Sequence, residues 1–462
     1  MNRILLVVIT MLFCVGQVYA QSEKQQHTDK TLEIYRAVIE IPTVKGKGNV
    51  PKMAKYLASE LNKAGIPNTD IHILPEGETA SLIVRYAGQE NSTKKPILFL
   101  GHMDVVEAYA KDWVRHPFKL TEDDVNFYAR GTIDNKLGVT MLTSTFIRLK
   151  KQGFVPDRDL FLVFSGDEET DMVTTKKLAQ HPMIANAEYA LNSDAGGGDL
   201  SPNGKALAYL IQAAEKTYAT FELTVTNKGG HSSRPRKDNA IYELMDALKN
   251  IQAHQFPVQS SPMTQEFFRI TGQQLGGELG AAMVDFSKDP RNKSASDRIS
   301  EEPSYVGTVR TTCITTMLRA GHAENALPQS ATATVNCRIF PETRATEVEQ
   351  TLKSVANNKN IKFEVLGDVT ESPISELRND VVDAVEEAVS QRYQNLNIIA
   401  YMESGGTDGM HFRKAGIPTW AISSIFMDPN EMYAHGLNER LPKKAFYDGL
   451  DHWTILIKKL TR

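Results

Sequence analysis

Cysteine is nearly absent from this chain, and the absence narrows its chemistry. Of three cysteines, Cys14 lies in an apolar N-terminal stretch, so only Cys313 and Cys337 remain beyond it. Two cysteines cannot build a cysteine-rich metal site, so any metal must be held by His, Asp and Glu. Basic blocks are missing as well. With 52 Lys+Arg against 56 Asp+Glu and a net charge of −4, a nucleic-acid partner lacks its electrostatic footprint. No apolar run reaches the roughly 20 residues that span a bilayer. Neither an internal repeat nor a low-complexity linker is present. What remains is 41% hydrophobic and 23% charged, the composition of a globular protein with a sizeable core.

The first twenty residues differ from the rest. Arg3 is followed by the apolar run Ile4 to Gly16, and Val18-Tyr19-Ala20 offers a small-x-small cleavage site. This pattern reads as a secretory signal peptide cut before Gln21; an anchor would need a longer run than these roughly 13 apolar residues. The expectation is a periplasmic or secreted protein with no stable membrane span after cleavage. Export permits a disulfide between Cys313 and Cys337, and two buried free thiols are the alternative. Both sit on expected strands, and pairing Leu318 with Thr332 would set Cys313 opposite Cys337.

Apolar spacing predicts helices over 32–41 and 50–64, strands over 71–74, 80–86 and 96–100, a helix over 136–151, and strands over 160–164 and 189–191. Strands alternating with helices imply an α/β layer with a mainly parallel sheet. From residue 215 the order becomes strand 220–226, helix 238–252, strands 311–318 and 331–339, helix 345–356 and strand 361–366. That β-α-β-β-α-β order predicts an inserted ferredoxin-like α+β domain. Residues 256–305 interrupt it as an elaborated loop with short helices. The α/β pattern then resumes with helix 379–393, strand 419–424 and helix 443–460. The expected division is a signal peptide over 1–20, a catalytic domain over 21–214 and 368–462, and an inserted lid over 215–367.

Polar residues cluster just past three apolar runs. Ile97–Leu100 leads into Gly101-His102-Met103-Asp104, Leu160–Phe164 into Ser165-Gly166-Asp167-Glu168-Glu169, and Tyr189–Leu191 into Asn192-Ser193-Asp194-Ala195-Gly196-Gly197. In open α/β sheets ligands bind at that carboxyl edge. Asp134 precedes a helix in Arg130-Gly131-Thr132-Ile133-Asp134-Asn135-Lys136. Each motif alone is commonly a turn or a solvated loop. Together on one edge, these carboxylates would repel one another unless cations neutralised them.

Six segments in order, GHMDVV (101–106), ARGTIDNKLG (129–138), SGDEET (165–170), NSDAGG (192–197), NKGGHSSRP (227–235) and AHGLNE (434–439), resemble the dinuclear zinc peptidase and aminoacylase family. That family includes glutamate carboxypeptidase, succinyl-diaminopimelate desuccinylase, peptidase T and the vacuolar carboxypeptidase S type. The resemblance implies a zinc-peptidase-like α/β/α catalytic domain with the insert as lid or dimerisation domain. It implies two Zn2+, with Co2+ or Mn2+ as substitutes. Asp134 would bridge the ions, His102 and Asp194 would hold one, and Glu169 and His435 the other. Glu168 would be the general base, and Asp104 would orient His102. His231 would stabilise the oxyanion, often from a partner subunit. Asn325, Arg338, Gly406 and Thr407 would contact the substrate, and the Asp134–Asn135 bond would be cis.

Elementary chemistry agrees with these roles. Zinc accepts imidazole nitrogen and carboxylate oxygen while leaving a position open. The side chains of adjacent Glu168 and Glu169 diverge, so one can bind metal while the other serves proton transfer. Asp104 can accept the second imidazole N–H of His102, and an arginine grips a carboxylate through paired hydrogen bonds.

The chain departs from the family at Asn135 and Asn336, where acids are frequent. The length of 256–305 weakens the inference of a homodimer. The expected activity is hydrolysis of a peptide or N-acyl amino acid amide bond, of carboxypeptidase or aminoacylase type. Aminopeptidase or dipeptidase action, phosphoester hydrolysis and a non-catalytic exported binding protein are the alternatives.

Overall fold

The computed structural model describes the backbone from Asn2 and the side chains from Gln21 to Arg462. The expected signal peptide therefore lies outside the residues whose side chains are described. Among the described residues no helix is long and apolar enough to cross a membrane.

The chain divides into two compact units. One comprises 1–210, 377–398 and 421–462, the other 211–376 and 399–420. The expected boundaries at 214/215 and 367/368 compare with 210/211 and 376/377, and 399–420, expected in the catalytic domain, falls in the second unit.

In the first unit, strands β1 (Ile71–Glu76), β2 (Thr79–Tyr86), β3 (Ile97–His102), β4 (Leu160–Ser165) and β5 (Tyr189–Asn192) lie side by side in the order β1-β2-β4-β3-β5. β1 and β2 are antiparallel, as are β2 and β4, whereas β3 runs parallel to both β4 and β5. The sheet is thus mixed, with its parallel part at the centre. Every residue of β3, β4 and β5 is buried, which explains why these segments read as unbroken apolar runs rather than alternating ones. Helix α1 (Val50–Lys63) turns its apolar face inward through Met53, Leu57 and Leu61. Helix α2 (Lys136–Lys151) is buried along most of its length, and its Phe146 meets Phe99 of β3 edge-on at 5.8 Å.

The expected terminal helix over 443–460 is two helices, Lys443–Asp448 and His452–Leu460. Gly449 causes the break. A Cβ there would lie 2.9 Å from the Ser424 carbonyl oxygen, so the chain turns where only a glycine fits.

The second unit carries the β-α-β-β-α-β order: β6 (Thr217–Thr226), α3 (Ala240–Ala253), β7 (Thr312–Ala320), β8 (Ser330–Ile339), α4 (Ala345–Ala356) and β9 (Lys362–Leu366). The strands pair antiparallel in the order β7-β8-β6-β9, the ferredoxin-like arrangement. Alternate residues Ala219, Phe221, Leu223 and Val225 pack with Leu244, Ala247, Val348 and Leu352 of the two helices, as period-two strands covered on one face require.

Residues 256–305 contain the expected helices, but these fill most of the segment instead of decorating a loop. They form helices Pro262–Leu275, Gly277–Lys288 and Lys293–Ser300, followed by Pro303–Val309. These enclose a core of their own around Phe268, Met283, Phe286, Ile299 and Val309. Ser261 caps the first helix with a full capping box, a signal that composition obscured.

Cys313 and Cys337 are joined as a disulfide with Cα atoms 4.1 Å apart. They face each other across β7 and β8, but a bulge between Thr315 and Met317 places Leu318 opposite Ala333 instead of Thr332. The cross-link spans 24 residues, which in the chain-entropy picture stabilises the fold by about 3 kcal/mol. Reduction should lower the denaturant midpoint accordingly, and the denatured, unreduced protein should titrate no free thiol beyond residue 20. Two free thiols would exclude the bond.

Candidate metal centre

Parallel register brings three strand ends to one place. His102 is level with Ser165 and Leu100 with Asn192. The turns that follow are tied across the edge, since the Met103 N–H donates to the Ser165 carbonyl at 2.9 Å and the Ser193 N–H to the Leu100 carbonyl at 3.0 Å. His102, Glu168, Glu169 and Asp194 therefore emerge together, as open α/β sheets require of a ligand site.

Asp134 and His435 complete the cluster. The Nε2 atom of His102 lies 2.8 Å from Asp134 Oδ1, 3.3 Å from Asp194 Oδ1 and 4.0 Å from Glu168 Oε2. On the other side, His435 Nε2 is 2.9 Å from Asp134 Oδ2 and 3.0 Å from Glu169 Oε1. Asp134 thus turns one oxygen to each imidazole. One donor atom from each of His102, Asp134 and Glu169 lies within 4.8 Å of the others, and the same holds for His102, Glu168 and Asp194. Glu168 shares the second group with Asp194, at the longer distance from His102. The Asp134–Asn135 peptide bond is cis.

The donor chemistry fits divalent cations. His102 Nδ1 faces the Asp104 carbonyl oxygen at 3.1 Å, so the ring proton belongs on Nδ1 and the Nε2 lone pair points at carboxylate oxygens. Such an arrangement needs positive charge between them. The electrostatics of the cluster describe the same field. Burial opposes a charge on His102, yet Asp194, Asp104 and Asp134 lift its imidazole well above the ordinary value. Hydrogen bonds to Asp134 and Glu169 hold His435 up to about 10. Burial works against the Asp134 anion, but hydrogen bonds from both histidines keep its carboxyl well below the usual carboxylate range. A field that draws protons onto imidazoles draws a divalent ion in their place.

The residues behind the cluster do more than sequence reasoning assigned them. Asp104 lies 3.4 Å from His102 Nδ1, and its carboxylate also accepts the backbone N–H groups of Glu168 (3.1 Å) and Glu169 (3.0 Å). One side chain thereby orients the histidine and shapes the turn that separates the two glutamates. Asn135 accepts from the His102 N–H and donates to the Ser193 carbonyl oxygen at 3.1 Å. An aspartate could not make that second bond, which gives the departure from the family pattern a physical role.

Arg130 and Glu439 lie inside the segments 129–138 and 434–439, which also carry Asp134 and His435. They form a buried ion pair of 2.6 Å with side chains 0% and 3% exposed. Glu439 Oε1 accepts the N–H of Ile133 at 2.8 Å, and Arg130 donates to the carbonyls of His435 and Gly436, each at 3.2 Å. The pair holds Asp134 and His435 together, and with them the left-handed backbone of His435 at φ 63°. Its signal was a charged residue inside each motif, Arg130 just before Asp134 and Glu439 just after His435. Lys136 is buried beneath the site, donating to the carbonyls of Val38 and Ile41, and burial pulls its ammonium down to about 7.

The expected substrate-binding residues and His231 belong to the second unit. His231 pairs with Ala326 in a short ladder, and the Ser232 N–H donates to the Asn325 carbonyl, so His231 and Asn325 are neighbours. His231 Nδ1 accepts the Ser233 N–H at 3.2 Å; its proton then sits on Nε2, the tautomer that donates outward. Arg338 stacks over Tyr218 with 4.7 Å to the ring centroid and donates to the Ser404 carbonyl at 3.0 Å, beside Gly405 and Gly406. Thr407 donates to Glu215 Oε1 at 2.5 Å, and Glu215 pairs with Arg413 at 2.8 Å, both 1% exposed.

The model of peptidase family M20/M25/M40 matches residues 98–459. The human N-fatty-acyl-amino acid synthase/hydrolase PM20D1 is 27% identical over 90% of this chain and 84% of its own length. The probable carboxypeptidase S-like 2 of Dictyostelium discoideum is 26% identical over 82% of this chain and 74% of its own. The M20 family metallo-carboxypeptidase Sso-CP2 of Sulfolobus solfataricus shares the fold, with a TM-score of 0.70 at 18% identity, covering 93% of this chain and 99% of that one.

Both imidazoles are raised, so in the metal-free chain their pairing with carboxylates stabilises the fold fully below the unfolded value of 6.5, and for His435 this is lost as pH rises through about 10. A cation displaces those protons. Metal affinity, measured by competition with a chromophoric chelator, should therefore climb with pH across that window, and flat affinity would argue against these ligands. Glu439→Gln should weaken binding about 10–100-fold; wild-type affinity would show that the Arg130–Glu439 pair does not hold the site.

Proposed function

The chain belongs to peptidase family M20/M25/M40 and is a metal-dependent hydrolase of amide bonds, and from that premise we propose that its substrate is an N-acyl amino acid or a peptide with a free carboxyl end. The observation that carries the proposal is the convergence of His102, Asp134, Glu168, Glu169, Asp194 and His435 at one sheet edge. The human relative's name, an N-fatty-acyl-amino acid hydrolase, and the slime-mould relative's, a carboxypeptidase, support that substrate class.

In this reading His102, Asp134, Asp194, Glu169 and His435 would hold two zinc ions, His102 and Asp194 on one side of Asp134 and Glu169 and His435 on the other. When bound, the ion pair supplies Lewis acidity and lowers the pKa of water. Glu168 is the general base. It takes the proton from the attacking water and returns it to the leaving nitrogen. The choice of Glu168 over Glu169 rests on the family resemblance; Glu169 lies 3.0 Å from His435, and the Glu168 and Glu169 N–H groups both donate to Asp104 in the turn between them. By the resemblance, His231 would act as oxyanion donor, and Arg338, with Asn325, Gly406 and Thr407, would contact the substrate.

We also propose export to the periplasm or beyond. The leader-like residues 1–20 support it, as does the Cys313–Cys337 disulfide, a bond at home in oxidising compartments. The mature protein should begin at Gln21.

A chelator should abolish amide hydrolysis, and Zn2+ or Co2+ should restore it. Glu168→Gln should retain bound metal and lose about 100- to 10,000-fold in kcat. Full activity in that variant would overturn the assignment of the base.

A further inference from the structure

The hydroxyl of Thr407 has no proton left to offer a substrate. It donates to Glu215 Oε1 at 2.5 Å and accepts the Gly409 N–H at 3.1 Å, and the residue is buried. The same Glu215 oxygen takes the Gln212 amide at 3.1 Å and the Arg413 guanidinium at 2.8 Å. Arg413 is pinned in turn, donating to Ser372 Oγ at 2.9 Å and to the Thr419 carbonyl at 3.1 Å. A Cβ on Gly409 would lie 3.1, 3.2 and 3.3 Å from Arg413, Thr407 and Glu215, so the chain closes on this lattice without a gap. The loop is thus anchored at its buried end, 407–409, while Ser404 and Gly406 are exposed. At that exposed end Arg338 donates to the Ser404 carbonyl at 3.0 Å, and Glu403 accepts the N–H groups of Ser404 (2.7 Å) and Gly405 (3.2 Å). All of these residues belong to the second unit.

Resting on the amide-hydrolase reading above, in which Arg338 and the glycine loop contact the substrate, the structure assigns Thr407, Glu215 and Arg413 a positioning role. They form a buried clamp that holds Gly406 and Arg338 in place for the substrate, and the Thr407 hydroxyl does not touch the substrate itself. The resemblance made Thr407 a contact; its inward hydroxyl takes the side chain out of that role. Two successive glycines, Gly405 and Gly406, give the loop no stiffness of its own, so its course is set by what grips it at Thr407. That grip is a charge-assisted hydrogen bond to a carboxylate, stronger than a neutral one, and the carboxylate is fixed by a buried guanidinium with two further anchors. The placement is passed on to Arg338 through the Ser404 carbonyl, two residues before Gly406.

The test uses the full metal-loaded protein, its best substrate from a panel of N-acyl amino acids and dipeptides, and amide hydrogen exchange over 404–410 read by mass. Thr407→Val keeps the shape and removes the hydroxyl. Glu215→Leu with Arg413→Leu removes the ion pair without leaving either charge unpaired. Each should raise KM about tenfold, the loss of one hydrogen bond to a charged group, while kcat and bound metal are kept and exchange over 404–410 quickens. Combined, they should raise KM no further, because both cut the same clamp. Thr407→Ser, which retains the hydroxyl, should rescue KM and exchange. Gln212→Leu loosens Glu215 without touching either charge and takes the place of the pair variant should that one not fold. Penalties that multiply overturn the inference, since they mean that Thr407 meets the substrate by itself. An unchanged KM in Thr407→Val also overturns it, as does a fall in kcat with KM kept. Where no amide is cleaved, the function proposed above fails and exchange alone judges the clamp: faster loop amides in Thr407→Val support it, and unchanged ones overturn it.

Discussion

Mutual repulsion among carboxylates held out of water is the constraint around which the first unit is arranged. Asp104, Glu168, Glu169, Asp134 and Asp194 meet at one sheet edge, and like charges at such distances are tolerated only when positive charge stands among them. His102 and His435 supply it as protonated imidazoles in the metal-free chain, which is why both are raised. Divalent ions supply it when the enzyme is loaded. Metal affinity, imidazole protonation and the stability of this edge are one equilibrium seen from three sides.

The backbone is fitted to that constraint rather than the reverse. Asp104 ties the histidine of one turn to the glutamates of the next. Arg130 and Glu439 tie the segment bearing Asp134 to the one bearing His435, although more than 300 residues separate them. Removing either charge would leave the other buried and unpaired, at about 3–5 kcal/mol. The cost falls on the two residues whose placement sets the cluster.

The second unit works by different physics. Its ferredoxin-like sheet buries one face beneath two helices, and a disulfide closes its edge pair. It also carries the His231 imidazole, the Arg338 guanidinium stacked on Tyr218, and a glycine-rich loop whose Thr407 is anchored by the buried Glu215–Arg413 pair.

Much of this was legible before any coordinate. Three apolar runs ending in acids announced a parallel sheet with a polar edge, because a strand covered on both faces must be apolar throughout and its charges can begin only where it ends. The β-α-β-β-α-β order and the identities of the cluster residues followed from local pattern and family resemblance. Local pattern suggested short helices in 256–305 but could not show that they close a core around Phe268 and Phe286, since Gly, Ser and Pro signal loops until a core is there to override them. Nor could it show that the last helix breaks at Gly449, that a bulge shifts Leu318 by one residue, or that 399–420 sides with the second unit. Each depends on what packs against the segment. The Arg130–Glu439 clamp and the double duty of Asp104 belong with these. A residue's chemistry can be read from its type, but its partner across the chain exists only once the tertiary structure has excluded water and left the charge one place to go.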